Sequence, residues 1–255
     1  MSSTTSRADV LEDRLREAGG TVVPYLTGGF PTMGRFGEAL RDLAVDSIAV
    51  EVGIPFSDPM ADGATIQESS RVALAEGATL EAILGEIERS APLPAELVVM
   101  SYLNPLIAFG YERLIPRLAS IGVAALVVPD LPLEEAAELS SALGEQGIGL
   151  VQLVSPVTDR RRLEILGQAS RGFTYAVTMT GTTGGTVGTG GDVVSYLETV
   201  RSSSRAPVLA GFGVRTRRQV ETLAPHCDGV IVGSALVEVL SNGADPVGFL
   251  RELSS

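Results

Sequence analysis

Eight short apolar runs separated by amphipathic segments constrain this fold more than any other feature of the sequence. The runs fall at 21–26, 47–52, 97–102, 124–128, 149–154, 172–177, 207–210 and 229–232, each ending near Gly, Pro, Ser or Asn. They are mostly continuous rather than alternating, the pattern of strands buried on both faces in a parallel sheet. Apolar residues recur at helical spacing at 33–45, 80–89, 111–121, 134–145, 159–169, 193–200, 216–223 and 234–240. Asp159 and Thr216 stand where helix caps are needed. Eight strand–helix units in 255 residues predict an α/β chain, a (β/α)8 TIM barrel forming a single domain over 1–255. An open doubly wound sheet is the alternative. No linker divides the chain.

Composition narrows the chemistry. The Lys+Arg total is 19, and all 19 are arginine, so the chain has no lysine; it has one histidine, His226, and one cysteine, Cys227. A lysine Schiff base and a P-loop are excluded. A His/Cys metal cluster and a disulfide framework are excluded too, while a carboxylate-only metal site stays open to composition; no metal or cofactor is expected. Acid–base work falls to Asp, Glu and Tyr. A formal net charge of -12 argues against nucleic-acid binding. Residues 1–20 lack the apolar core of a secretory signal, and no stretch reaches a membrane span. A cytoplasmic protein with no membrane partner is therefore expected.

Barrel active sites form at strand C-termini. Glu51 ends the second run behind Ile48, Ala49 and Val50, an apolar setting that raises a carboxyl pKa toward neutrality. Asp58 and Asp62 lie in the following loop, stiffened by Pro55 and Pro59, and composition alone does not separate them. Tyr102 and Tyr175 stand near the ends of the third and sixth runs, where a tyrosine is either core or pocket wall. Loops seven and eight carry Gly211-Phe212-Gly213 and Gly233-Ser234, suited to phosphate through backbone N–H groups and a helix N-terminus. The Gly/Thr-rich stretch 180–191 reads as a lid over that face. His226 and Cys227 fall at the opposite end and read as structural.

These residues resemble one known family, the tryptophan synthase α subunits. The most specific block is VEVGIPFSDPMADGATIQ at 50–67. YLNP at 102–105, PDLPLEE at 129–135, GFTYAVTMTGTTG at 172–184 and AGFGV at 210–214 follow in the family's order. The resemblance implies retro-aldol cleavage of indole-3-glycerol phosphate to indole and glyceraldehyde 3-phosphate. It also implies a tryptophan synthase β subunit as partner in an α2β2 complex. It implies Glu51 as the proton shuttle, Asp62 as the acceptor of the indole N–H and Tyr175 as the tyrosine beside the glutamate. Tyr25 matches an aromatic pocket position, and Tyr102 and Phe212 fall among the substrate-binding positions. Gly184, Gly213, Gly233 and Ser234 match phosphate-binding positions, and Thr183 the lid threonine. The lid departs from the family pattern: the stretch 178–184 lacks the family's arginine. That departure motivates two alternatives, a stand-alone indole-releasing lyase and a non-catalytic activator of a β partner.

Overall fold

A computed structural model of the chain describes residues 5–178, 190–211 and 213–254. The strands are β1 (Thr21–Thr27), β2 (Ala49–Gly53), β3 (Glu96–Met100), β4 (Val123–Val127), β5 (Gly149–Val154), β6 (Thr174–Val177), β7 (Val208–Gly211) and β8 (Gly229–Val232). They close into a barrel in chain order, and the β1–β2 and β1–β8 pairings that complete the ring are parallel. The sheet is buried along nearly its whole length, as expected of strands covered by helices outside and packed side chains within.

The third strand stops earlier than its apolar run. β3 ends at Met100, and Tyr102 instead takes the N-cap position of a short helix, Leu103–Phe109. The Leu103 N–H donates to Asp130 Oδ1 at 2.9 Å, which anchors this turn to the loop after β4. Helices unmarked by the expected periodicity also appear at Arg7–Ala18, Ala64–Ala75 and Pro246–Ser254. The helix Ala64–Ala75 buries Ile66, Ser69, Ser70 and Ala73, so small residues replace the large apolar ones that signal a helical face.

The first helix determines which end of the barrel is open. Ser6 and Asp9 form a reciprocal capping box at its start, and Leu11 and Leu15 are fully buried one turn apart. The Ala8 N–H donates to the Gly147 carbonyl at 3.0 Å. Glu12 accepts from the Gly172 N–H at 2.9 Å, and Arg14 donates to the Pro94 carbonyl at 3.1 Å. Those acceptors and donors precede β5, β6 and β3, so the helix covers the N-terminal end and leaves the C-terminal end accessible.

On the outside, the helix Met33–Val45 buries Phe36, Leu40 and Leu43 completely against β1, β2 and the helix Leu80–Ser90. Ala64–Ala75 packs on β1 and on the helix Ser234–Ser241. That contact brings the element after β2 beside the one after β8. Truncating Leu40 to alanine removes fully buried methyl groups from a close-packed layer and is expected to cost about 2–5 kcal/mol. A urea titration should show this as a lower midpoint with an unchanged slope.

Candidate active site

A cleft of about 400 Å³ opens at the C-terminal end of the barrel, lined by Tyr25, Asp62, Ile66, Met100, Tyr175, Gly213, Ile231, Gly233 and Ser234. Strands β1, β3, β6 and β8 and the loops after β2, β7 and β8 all contribute. The two tyrosines fit because neighbouring strands carry glycine. A Cβ on Gly53 would lie 2.0 Å from the Tyr25 hydroxyl, and one on Gly211 would lie 2.6 Å from the Tyr175 ring. Each ring therefore lies over the backbone of a neighbouring strand.

Glu51 stands in the barrel wall next to Tyr25, its partner in the β1–β2 register. It is fully buried, and among the described residues neither carboxyl oxygen has a hydrogen-bond partner. Burial, reinforced by the nearby Asp62 charge, raises its pKa to about 8. Asp62 lines the cleft itself. Burial raises its pKa to about 6, and the hydrogen bond from Tyr102 opposes that rise. The Tyr102 hydroxyl also accepts from the Ala61 N–H at 2.9 Å, and its ring packs on Phe56 with centroids 5.4 Å apart. Tyr102 thus stands behind Asp62, fixing its loop, while Met100 from the same strand end faces the cleft. Asp58, equal to Asp62 by composition, is exposed and accepts from its neighbour Ser57.

At neutral pH the two carboxyls therefore differ: Glu51 is mostly protonated and Asp62 mostly ionised. Such a pair supplies one acid and one base within a single apolar site. Burial comes first among the causes that raise the Tyr25 and Tyr175 pKa values, followed by the nearby carboxyls, so both phenols stay neutral.

The opposite wall suits an anion. Gly233 caps the helix Ser234–Ser241 without a side-chain acceptor, so the first N–H groups of that helix are free of a capping side chain beside the cleft. Gly213 turns loop seven with φ +83°, a conformation that favours glycine. Arg215 does not reach the cleft as a counter-ion; its guanidinium is paired with Glu238. Anion binding here rests on backbone N–H groups and the helix dipole. Among the described residues no cluster of His, Cys, Asp and Glu could hold a metal ion.

Of the residues singled out from sequence, Tyr25, Asp62, Tyr175, Gly213, Gly233 and Ser234 meet around one cleft, and Glu51 is fully buried in the barrel next to Tyr25. Thr183, Gly184 and Phe212 lie outside the described residues, as does the expected lid, except that Gly190 and Gly191 begin the helix Gly190–Ser203. His226 and Cys227 sit before β8 at the closed end. His226 Nδ1 lies 3.2 Å from Glu198, and buried Cys227 donates to the Leu223 carbonyl. The apolar walls Ile66, Met100 and Ile231 were not foreseen. Met100 and Ile231 belong to the expected strands, but their pattern alone does not separate cleft wall from core.

The tryptophan synthase alpha chain family profile matches residues 11–250. The tryptophan synthase alpha chain of Nitratidesulfovibrio vulgaris is 41% identical over 250 residues, which cover 96% of this chain and 97% of that protein. The alpha chain of Bacillus cereus is 44% identical over 225 residues, 86% of each. Among solved structures, tryptophan synthase from Mycobacterium tuberculosis superimposes with a TM-score of 0.87 at 33% identity, covering 98% of this chain and 96% of that one. The tryptophan synthase α2β2 complex of the hyperthermophile Pyrococcus furiosus gives a TM-score of 0.85 at 34% identity, covering 92% and 98%. With its profile, its relatives and its barrel in agreement, the chain belongs to the tryptophan synthase alpha chain family.

Proposed function

We propose that Glu51 and Asp62 share the proton transfers of a carbon–carbon lyase that cleaves indole-3-glycerol phosphate, with the chain acting as the α subunit of tryptophan synthase. One observation carries this reading: Asp62 lines the cleft and the fully buried Glu51 stands near it, in environments that leave Glu51 protonated and Asp62 ionised at neutral pH. A retro-aldol step needs somewhere to place the electrons of the broken bond, and in a chain without lysine the substrate can provide it. Indole does so once its ring carbon is protonated.

The steps balance as follows. Glu51 gives its proton to C3 of the indole, and the ring nitrogen becomes an iminium whose N–H donates to the Asp62 carboxylate. The bond from C3 to the glycerol carbon breaks, and its electrons neutralise the iminium. The hydroxyl on that glycerol carbon loses its proton to the Glu51 carboxylate, leaving glyceraldehyde 3-phosphate and restoring Glu51. Ile66, Met100, Ile231 and the rings of Tyr25 and Tyr175 suit the indole, and Tyr175 helps keep Glu51 away from water. Gly213, Gly233 and Ser234 suit the phosphate. Thr183, Gly184 and Phe212 retain the roles that the family implies. A single barrel domain carries all of this, and a cytoplasmic setting fits such a biosynthetic enzyme.

The relatives favour the α-subunit role over a stand-alone lyase or a silent activator. On this reading the β subunit docks at the cleft end, on the 55–59 loop and on Asn104 and Pro105, which lie in the first turn of the helix Leu103–Phe109 rather than in a loop turn. Met60 and Ile107, 73% and 57% exposed, supply apolar surface there. Replacing Ile107 with aspartate should weaken β-subunit binding about tenfold or more, while the α reaction measured alone stays near wild type. Isothermal titration together with a steady-state assay checks both.

Glu51→Gln should abolish indole release while the fold persists, and turnover within tenfold of wild type would remove Glu51 from its role. The same variant carries a stability signature. The folded pKa of Glu51 is raised from 4.5 to about 8, so the native state holds a proton that the unfolded chain has already released. Stability from this group is full below pH 4.5 and is lost as pH rises toward 8. Glu51→Gln should therefore raise the thermal midpoint at pH 8.5 and change it little at pH 4.5, which differential scanning calorimetry reads directly.

A further inference from the structure

Three of the elements around the cleft are tied together by one side chain that has no part in the steps above. Glu238 lies on the helix Ser234–Ser241, one turn beyond Ser234. Its carboxyl pairs through Oε2 with the Arg215 guanidinium, in the loop after β7. Through Oε1 it accepts from the Thr65 hydroxyl at 3.3 Å, on the helix Ala64–Ala75. Glu238, Arg215 and Thr65 are not among the residues that line the cleft.

Each arm of this bridge leads to a group already placed at the site. On one side, Gln219 Oε1 accepts from the Arg215 N–H at 2.8 Å and from the Thr216 N–H at 3.1 Å. Arg215 is therefore held by its backbone and by its guanidinium, just beyond Gly213. On the other side, Thr65 precedes Ile66, which lines the cleft. Gln67 Nε2 on the same helix donates to the Asp62 carbonyl at 2.8 Å. Ser69 fixes this helix to β1, its Oγ 2.7 Å from Thr27 Oγ1 with both side chains buried. The helix thus holds Ile66 and Asp62 as one unit.

A substrate with a phosphate at one end and an N–H at the other needs the two ends of its site at a fixed separation. Gly213 and Ser234 suit the first end; Asp62 and Ile66 suit the second. Glu238 joins the two sets. The side chains of Arg215 and Glu238 are 47% and 41% exposed, so the pair adds little to global stability. It restricts relative position instead, because one planar carboxyl holds donors from two other elements.

We propose that Glu238 is a positioning residue that sets the span between the phosphate wall and Asp62. At that span, a phosphate held at Gly213 and Ser234 delivers the indole N–H to the Asp62 carboxylate. Without the bridge each end still binds its own half, but one substrate no longer engages both in the reacting geometry. The proposal rests on the reading of the substrate as indole-3-glycerol phosphate.

The test compares a linked ligand with its two halves, by isothermal titration of the full chain. The linked ligand is 3-(indol-3-yl)propyl phosphate, which lacks the hydroxyl that cleavage needs. The halves are indole and glycerol 3-phosphate. In Glu238→Ala the linked ligand should bind about tenfold more weakly, while each half stays within about twofold of wild type. The kcat/KM for indole release should fall about tenfold or more, with the thermal midpoint within about 2 °C. Glu238→Gln keeps an oxygen for Arg215 and an amide that donates to the Thr65 hydroxyl. It should restore the linked ligand to within about threefold. Thr65→Val cuts one arm, and its loss should not add to that of Glu238→Ala in the double variant. The proposal is overturned by unchanged linked-ligand affinity in Glu238→Ala, by equal weakening of the halves, or by full additivity with Thr65→Val. Tighter glycerol 3-phosphate binding in Glu238→Ala also overturns it, because Glu238 would then serve to keep Arg215 from the phosphate. Failure of the linked ligand to bind the wild-type chain is a different result: it removes the substrate reading, and the proposal with it.

Discussion

The burial of the Glu51 carboxyl in an apolar barrel wall is the constraint on which the rest of the site depends. A carboxylate there would lose its hydration and, among the described residues, has no hydrogen bond in exchange. Neutralisation is the accessible outcome, and it turns an ordinary glutamate into an acid near physiological pH. Asp62, at the edge of the same cleft and bonded to Tyr102, stays mostly ionised. Two residues of similar chemistry thus acquire opposite roles through depth and hydrogen bonding. The arrangement costs stability above the pH at which an unfolded glutamate ionises, as groups at functional sites often do.

The scaffold supplies that depth. The helix Arg7–Ala18 covers one end of the barrel, and glycines at 53 and 211 let two tyrosine rings lie across the other. Backbone N–H groups at Gly233–Ser234 stand beside the cleft, no arginine among the described residues lines it, and Arg215 in the loop after β7 is paired with Glu238. A chain without lysine can hold a phosphate in this way. It can break a carbon–carbon bond without a lysine imine where the substrate itself accepts the electrons, and an indole ring protonated at carbon does so.

Much of this was legible in the residues. Continuous apolar runs mark buried parallel strands, and all eight run positions overlap the observed strands. Glu51 stood out because a lone carboxylate followed Ile48, Ala49 and Val50. Other features left weaker signals. The helix Ala64–Ala75 packs through Ala and Ser, whose spacing carries no hydrophobic contrast. The Arg7–Ala18 helix was marked by Ser6 and Asp9 at capping-box spacing and by Leu11 and Leu15 one turn apart, a short pattern lying outside the repeating units. Tyr102 ends an apolar run, yet the turn anchored by Asp130 takes it out of the strand and places it behind Asp62. Asp58 and Asp62 share a loop and differ only in burial, which depends on how that loop meets Tyr102. The buried Thr27–Ser69 hydroxyl pair joins residues 42 apart, so no local pattern reveals it.

The central claim is that the enzyme works with Glu51 protonated and Asp62 ionised. The most direct measurement is the pH dependence of kcat/KM for indole release from indole-3-glycerol phosphate by the wild-type chain. The account predicts a bell: a rising limb near pH 6 as Asp62 ionises, and a falling limb near pH 8 as Glu51 loses its proton. A rate that keeps rising through pH 9 would contradict it, because the acid on which the mechanism depends would by then be gone.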